Sequence, residues 1–494
     1  MVAYRRGDTP YVVGVVSGGH FLSHLYLLAY PPLFPLLARE FEVTTAQLGL
    51  LVTAIYVPTL LLQLPLGEVV DRIGAKRVLV AGLVATSVGI TLSGLATAYW
   101  TLLVLAFVSG VGQSVFHPAN YALLDAVTAT DQEGMAFSVH TFGGYAGFAA
   151  APLVIGGIGV TVGWRTALLV GGSLGFGYAA LVALTTRPVY RQSLVPGAVD
   201  GSTTGDGSAG IDSSAAGNGS AGIDGSTTDD GSAGIDDSGD VDRLAAAGSS
   251  EVDDEPDVAG SSETPDRPEP GTDDLAASVA RTVREMASYV RRGDMVLVFS
   301  FYLLSMMALV GLQSFTTVLA VDGFGLAEST ANNILTVHLA CTALGVILGG
   351  PVADHFPFRT VIVTMFVLAA LGVWGIVLSA GGIVGIGTSD GVVLAGTVAA
   401  PGLFALFAVV GLLFGLALPS RDKFGNAVAD PNAVGKSFGF YFTGLSLGAV
   451  VSPAVLGAVI DLWSAATAFL IVGCFLVAAS AVVVLAIATR SGGG

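Results

Sequence analysis

"GEVVDRIGAKR", residues 67–77, sets Glu68, Asp71, Arg72, Lys76 and Arg77 between two apolar runs, with Gly67 and Gly74 in the same stretch. The flanking runs, 48–66 and 78–95, contain no charged residue. Each approaches the roughly 20 apolar residues that one helix needs to cross a bilayer. The charged island is therefore read as a short turn between two membrane crossings.

The pattern recurs along the chain. Its 494 residues are 53% hydrophobic and 12% charged, against roughly 25% charged in soluble domains. Twelve apolar windows follow one another, at 11–37, 45–67, 77–97, 100–126, 134–157, 164–186, 295–320, 328–352, 359–380, 393–419, 433–459 and 463–488. The expected fold class is an all-α polytopic membrane protein with twelve transmembrane helices. The first run is too long for a signal sequence and leads straight into the next, so no cleaved signal is expected. Cys341 and Cys474 lie in different runs, which argues against a disulfide framework.

The net charge of −17 is local. Between Asp200 and Asp274, twenty acidic residues face only Arg243 and Arg267, and the rest of the chain is close to neutral. This segment repeats "GSAGID" at 207, 219 and 231 and is otherwise rich in Ser, Thr, Gly, Asp and Pro. A Gly-rich period of twelve raises a small β-solenoid, but one Ile per repeat builds no core, and a disordered acidic linker is expected. Only three of the twenty basic residues are lysines. With the acidic linker, that composition points to a salt-loving, halophilic archaeon-like source. Next, "LAASVARTVREMASYVRR" aligns Leu275, Val279, Val283, Met286 and Val290 on one helical face, with Arg281, Arg284, Arg291 and Arg292 off it. It reads as an interfacial amphipathic helix or a soluble connector. The expected organisation is a six-helix bundle over 1–190, a linker over 191–274, the amphipathic helix over 275–292 and a second bundle over 293–494.

Outside the linker, Lys and Arg cluster at 5–6, 72–77, 187–191, 281–292, 359, 421–436 and 490. With twelve spans these fall on one side, and the opposite loops hold Arg39 and Arg165. The positive-inside rule puts both termini and the linker in the cytoplasm, in a multi-pass cell (plasma) membrane protein.

The halves repeat. "GEVVD" (67–71) returns as "GPVAD" (350–354), and "HPANYALLDAV" (117–127) aligns with "LPSRDKFGNAV" (418–428). The second alignment continues through Gly143 with Gly444, Gly147 with Gly448, Pro152 with Pro453 and Gly156 with Gly457. A Gly-rich insertion around 381–397 accounts for the difference in offset. Two like-oriented six-helix halves are a common plan for alternating-access carriers, and the small residues mark helix-packing positions.

Gly67, Asp71, Arg72, Gly74, Lys76 and Arg77 match the G-x-x-x-D-R-x-G-x-[KR]-[KR] signature, and the chain thereby resembles the major facilitator superfamily. The second copy keeps Gly350, Asp354 and Arg359, with His355 and Pro357 in place of the arginine and glycine. The resemblance implies the fold of two pseudo-symmetric bundles and a cytoplasmic latch at this loop. Gly67 would then allow close helix approach. Asp71 would face a helix N-terminus across the interface or pair with Arg72. "GHFLSHLY" (19–26), "FHPANYALL" (116–124) and the stretch from Gly147 to Gly157 resemble fosmidomycin-resistance-type drug exporters. That group usually has an acidic residue where His24 stands. Antiporters of the superfamily often carry G-P-x-x-G-G in span 5; here Gly156-Gly157 follow Pro152 one residue late. Phe107 and Val108 stand where many drug exporters have an arginine.

Ionisable groups inside spans are costly and usually functional. His20 and His24 share a helix face. His117, before the helix-bending Pro118, continues through Tyr121 to Asp125. His140 and His338 complete the set of histidines able to titrate near neutral pH. Each has the competing reading of bonding a neighbouring backbone, and Asp125 fits an interfacial position. Arg421, beside Asp422 and Lys423, is a candidate for attracting an anion. Tyr145, Tyr441, Thr141 and Thr443 suit cavity lining or helix packing equally.

The expected function is secondary active transport of a small organic solute by alternating access, as proton-coupled efflux of amphiphilic, drug-like compounds. The alternatives are H⁺ or Na⁺ symport of a small organic anion and a transport-dead sensor. No phosphate loop or metal-ligand spacing is apparent, so no enzyme, metal or cofactor is expected. The expected partners are the substrate, H⁺ and the bilayer, with no nucleic acid and a monomeric state.

Overall fold

The computed structural model describes residues 9–128, 132–186, 284, 287–379, 400–430 and 433–491. Among them, twelve helices are long and apolar enough to span a membrane. Spans 1 to 6 are Thr9–Phe41, Thr45–Leu62, Ala75–Ser93, Tyr99–Val127, Met135–Thr161 and Trp164–Thr185. Spans 7 to 12 are Gly293–Gly323, Glu328–His355, Phe358–Ser379, Ala400–Val428, Lys436–Leu462 and Ala465–Ala486. The expected linker and residues 275–283, 285 and 286 of the amphipathic helix fall outside the described residues. At the latter's described end, Tyr289 is buried against Phe440 while Val290 is exposed.

Prolines set the interruptions. Span 1 stops at Leu27, passes Pro31 and Pro32 as a 3₁₀ turn and resumes at Phe34. Span 4 breaks between Gln113 and Phe116. Pro118 has no N–H for the carbonyl of Ser114 and crowds it, which places the break. The helix of span 2 runs on to Ile73 and ends at Gly74, whose φ of 91° suits glycine.

The repeated glycines are close-packing points. A Cβ on Gly143 would lie 2.7 Å from the Ser17 carbonyl oxygen, and one on Gly444 would lie 2.7 Å from that of Phe299. Gly147 and Gly448 press in the same way on Phe21 and Leu303. Span 5 thus docks on span 1 as span 11 docks on span 7, by the small-residue packing that brings membrane helices together.

The halves join at the distal end, remote from Thr9 and Ser491. Thr53 Oγ1 donates to the Val450 carbonyl at 2.8 Å, and Thr317 Oγ1 donates to that of Pro31 at 2.9 Å. Arg39 forms an ion pair with Glu328. The start of span 2 is capped from both sides. Thr44 and Gln47 form a reciprocal capping box, while the N–H groups of Thr45 and Ala46 donate to Asp461 Oδ1 and Oδ2, each at 2.8 Å.

The proximal end differs from expectation. A Cβ on Gly67 or Gly350 would meet nothing within 4 Å, so neither glycine mediates a close approach here. Arg72 pairs with Glu68 at 2.9 Å rather than with Asp71. Lys76 donates to the Thr186 carbonyl, and Lys423 pairs with Asp354. These contacts stay within one half. At the other end, Asp461 places a carboxylate on a helix N-terminus.

Candidate functional site

Spans 1, 4 and 5 converge on a group of four histidines. His20 and His24, one turn apart, have ring centroids 4.2 Å apart. His20 stacks on His140 of span 5 at 4.0 Å, with 11° between the ring planes. The broken second half of span 4 brings His117 to 5.7 Å from His20. Tyr121 lies 5.9 Å from both His117 and His140. His24 stacks on Phe148 at 4.1 Å and meets the edge of Tyr145 at 6.5 Å. Space for the rings comes from Gly144, where a Cβ would lie 2.6 Å from His20 Cε1 and 2.8 Å from His24.

The polar ends of these rings are unevenly satisfied. His20 Nδ1 lies 2.8 Å from the His140 carbonyl oxygen. His20 Nε2, His24 Nδ1 and both ring nitrogens of His140 are buried without hydrogen-bond partners among the described residues. Leaving such groups unmatched costs about 1–3 kcal/mol each, so their retention needs a reason beyond packing. One turn before His117, Gln113 accepts from Ser23 Oγ at 2.6 Å and donates to the Ser23 carbonyl at 2.9 Å, tying span 4 to span 1.

Span 10 brings a charge to the opposite side. Arg421 Nε bonds Asp422 at 3.0 Å, and its guanidinium lies 5.3 Å from the Tyr302 ring. Its side chain is 14% exposed, and Tyr121 and Tyr145 of the first half lie within its electrostatic reach. Tyr121 is 44% exposed, with its ring against Phe137.

The sequence candidates therefore divide. His20, His24, His117, His140 and Tyr121 come together, with Arg421 facing them. His338 does not join them. It is fully buried, with Nδ1 3.1 Å from the Phe407 carbonyl of span 10, which is the backbone-bonding alternative. Tyr441 is buried against Tyr302 and is a packing residue. Gln113 and Gly144 were missed. Gln113, a mid-span amide four residues before His117, carried a legible signal.

The late glycines of span 5 have a structural account. Pro152–Gly156 forms a wide i→i+5 turn, which takes up one more residue than an α-turn. The surplus residue is absorbed before Gly157, and Gly156 then abuts the buried Asn332 of span 8.

Known proteins agree with this architecture. Residues 143 long, the stretch matching the fosmidomycin resistance protein of Escherichia coli (strain K12) is 29% identical and covers 29% of this chain and 35% of that protein. A "Probable sulfoacetate transporter SauU" of Cupriavidus necator is 29% identical over 173 residues, 35% of this chain and 40% of that one. The chain thus spans about two fifths or less of these relatives' length. The crystal structure of a bacterial homolog to the human lysosomal transporter Spinster, in an inward-facing and occupied conformation, superposes with a TM-score of 0.66. It shares 13% identity and 97% coverage of both chains, a likeness of fold. The Major Facilitator Superfamily profile matches residues 16–223 and 295–493, and the chain belongs to that superfamily.

Proposed function

We propose that the chain is a secondary active transporter that exports small amphiphilic, drug-like molecules in exchange for protons by alternating access. The carrying observation is the clustered histidine group of spans 1, 4 and 5, with His20 and His24 as first proton or substrate contacts and His117 and Tyr121 beside them. Imidazole has a neutral and a protonated form and so suits a group that alternates between proton and solute. Support for exchange comes from the wide turn in span 5, which absorbs the residue by which the antiporter-type stretch is out of step. Support for export comes from the fosmidomycin resistance relative.

With the basic clusters and termini in the cytoplasm of a plasma-membrane monomer, the proximal end opens inward and the distal contacts close the outside. The loops at Gly67–Arg77 and Gly350–Arg359 then serve as the latch of the opposite state. Proteoliposomes carrying a pH gradient test the reading. Adding substrate discharges the gradient, and the combined His20→Ala and His24→Ala changes abolish the discharge; survival of coupling in that variant removes the proton assignment.

A second reading is symport of a small organic anion. It is favoured by the low exposure of Arg421 and by the sulfoacetate transporter among the relatives. The direction of solute accumulation separates the two.

A further inference from the structure

The contact between His20 Nδ1 and the His140 carbonyl has a chemical consequence. A carbonyl only accepts, so Nδ1 carries the proton and Nε2 presents a lone pair. That Nε2 is buried without a partner among the described residues, as is His24 Nδ1. One ring nitrogen from each of His20, His24 and His117 lies within 4.8 Å of the other two. An imidazole that donates through one nitrogen to a backbone carbonyl and leaves the other bare is the arrangement typical of a metal-ligating histidine; His338 has it too, so it is the convergence of three imidazoles that marks this place.

The second half supplies an internal comparison. The paired glycine contacts superpose Ser17 on Phe299 and Phe21 on Leu303, so His20 falls on Tyr302. The alignment of Gly143 with Gly444 likewise puts His140 on Tyr441. Those tyrosines also stack, at 5.7 Å and 20°. Their hydroxyls are bonded, Tyr302 to the Arg421 carbonyl at 3.4 Å and Tyr441 to Met295 Sδ at 3.0 Å. The stacked seat therefore accepts another ring and leaves no bare ligand atom when it does. Packing accounts for a ring there, but not for the imidazoles.

We propose that His20, His24 and His117 bind one late first-row transition-metal ion of the zinc, nickel or copper kind, with a fourth position open to a small anionic ligand. Imidazole suits these ions, whereas magnesium and calcium take oxygen ligands. Metal–nitrogen bonds of about 2.0–2.1 Å in a tetrahedral site hold ligand atoms about 3.3 Å apart, so ring movements on the order of 1 Å complete it. The three ligands are neutral and the group contains no carboxylate. An anion from solution must therefore offset the ion's charge in this poorly solvated place. The backbone carbonyl of residue 140 sets the His20 tautomer. His20 and His24 have the i, i+4 spacing of two ligands on one helix face, and the third ligand comes from a span distant in sequence.

Binding is read at equilibrium without a gradient, so it goes beyond the transport reading and can fail separately from it. The full chain, purified in detergent with its affinity tag removed, is titrated with Co²⁺. One ion per chain and the intense visible bands of four-coordinate cobalt are expected, displaced by Zn²⁺ and untouched by Mg²⁺. Added azide shifts the bands, because one position is open. His24→Gln and His117→Gln each weaken binding by tenfold or more while gel filtration and thermal unfolding confirm folding. His338→Gln, which alters a histidine outside the group, leaves binding unchanged. Absence of Co²⁺ uptake, wild-type affinity in both folded variants, or loss on His338→Gln overturns the site; bands indifferent to azide overturn the open position.

Discussion

Replacing Asp461 by alanine strikes the joint between the halves. The carboxylate accepts from the Thr45 and Ala46 N–H groups at 2.8 Å each and lies at the positive end of the helix of span 2. Losing a helix N-cap acceptor typically costs about 1 kcal/mol, and an anion at a helix N-terminus adds about 0.3–1 kcal/mol. These bonds are exposed, so the freed N–H groups pass to water and the full value of buried charged bonds does not apply. A net loss of about 1–2 kcal/mol remains, which lowers the ratio of distally joined to distally parted molecules roughly 5–30-fold. Spin labels on Thr97→Cys and Ser329→Cys, both exposed at the distal end and in different halves, read that ratio by pulsed electron resonance after Cys341 and Cys474 are changed to serine. Asp461→Ala adds a longer-distance population, and Asp461→Asn, which keeps one acceptor, adds less of it. Superimposable distance distributions for Asp461→Ala and the parent refute the reasoning.

The other expectations are smaller or more local. Arg39 and Glu328 form an ion pair with side chains 60% and 22% exposed, so a double-mutant cycle with Arg39→Ala and Glu328→Ala returns a coupling below about 1 kcal/mol; a larger one would make this pair the main distal fastener. Gly147→Val drives a branched side chain into the Phe21 carbonyl and destabilises the fold by about 1–3 kcal/mol, measured by thermal unfolding in detergent. Gly350→Ala, with open space around its Cβ, leaves the unfolding temperature unchanged or raises it.

The spans were legible because hydropathy sums over about 20 residues and tolerates local error. The repeated glycines were legible because close helix contact excludes a Cβ, and Gly143, Gly147, Gly444 and Gly448 each meet a backbone carbonyl. The same logic misled at Gly67 and Gly350: glycine permits an approach without making it, and this conformation holds the helices apart there. The histidines could not be sorted by sequence. His338 and His20 are both buried imidazoles with Nδ1 on a carbonyl, and only the helix faced by the other edge distinguishes them. Asp461 was passed over because an acid near a span's end resembles any interfacial charge. Its partners are backbone N–H groups more than 400 residues away, which no local pattern encodes.

The wide turn at Pro152–Gly156 makes the two docking helices mechanically unequal. Span 11 carries Pro453 inside a continuous α-helix, whereas span 5 loosens its backbone spiral just before it touches Asn332. A helix yields most readily where its ladder is already irregular. In the proposed transport cycle, bending within this pair would fall on span 5 rather than span 11, so the two docking arms would not flex as mirror images.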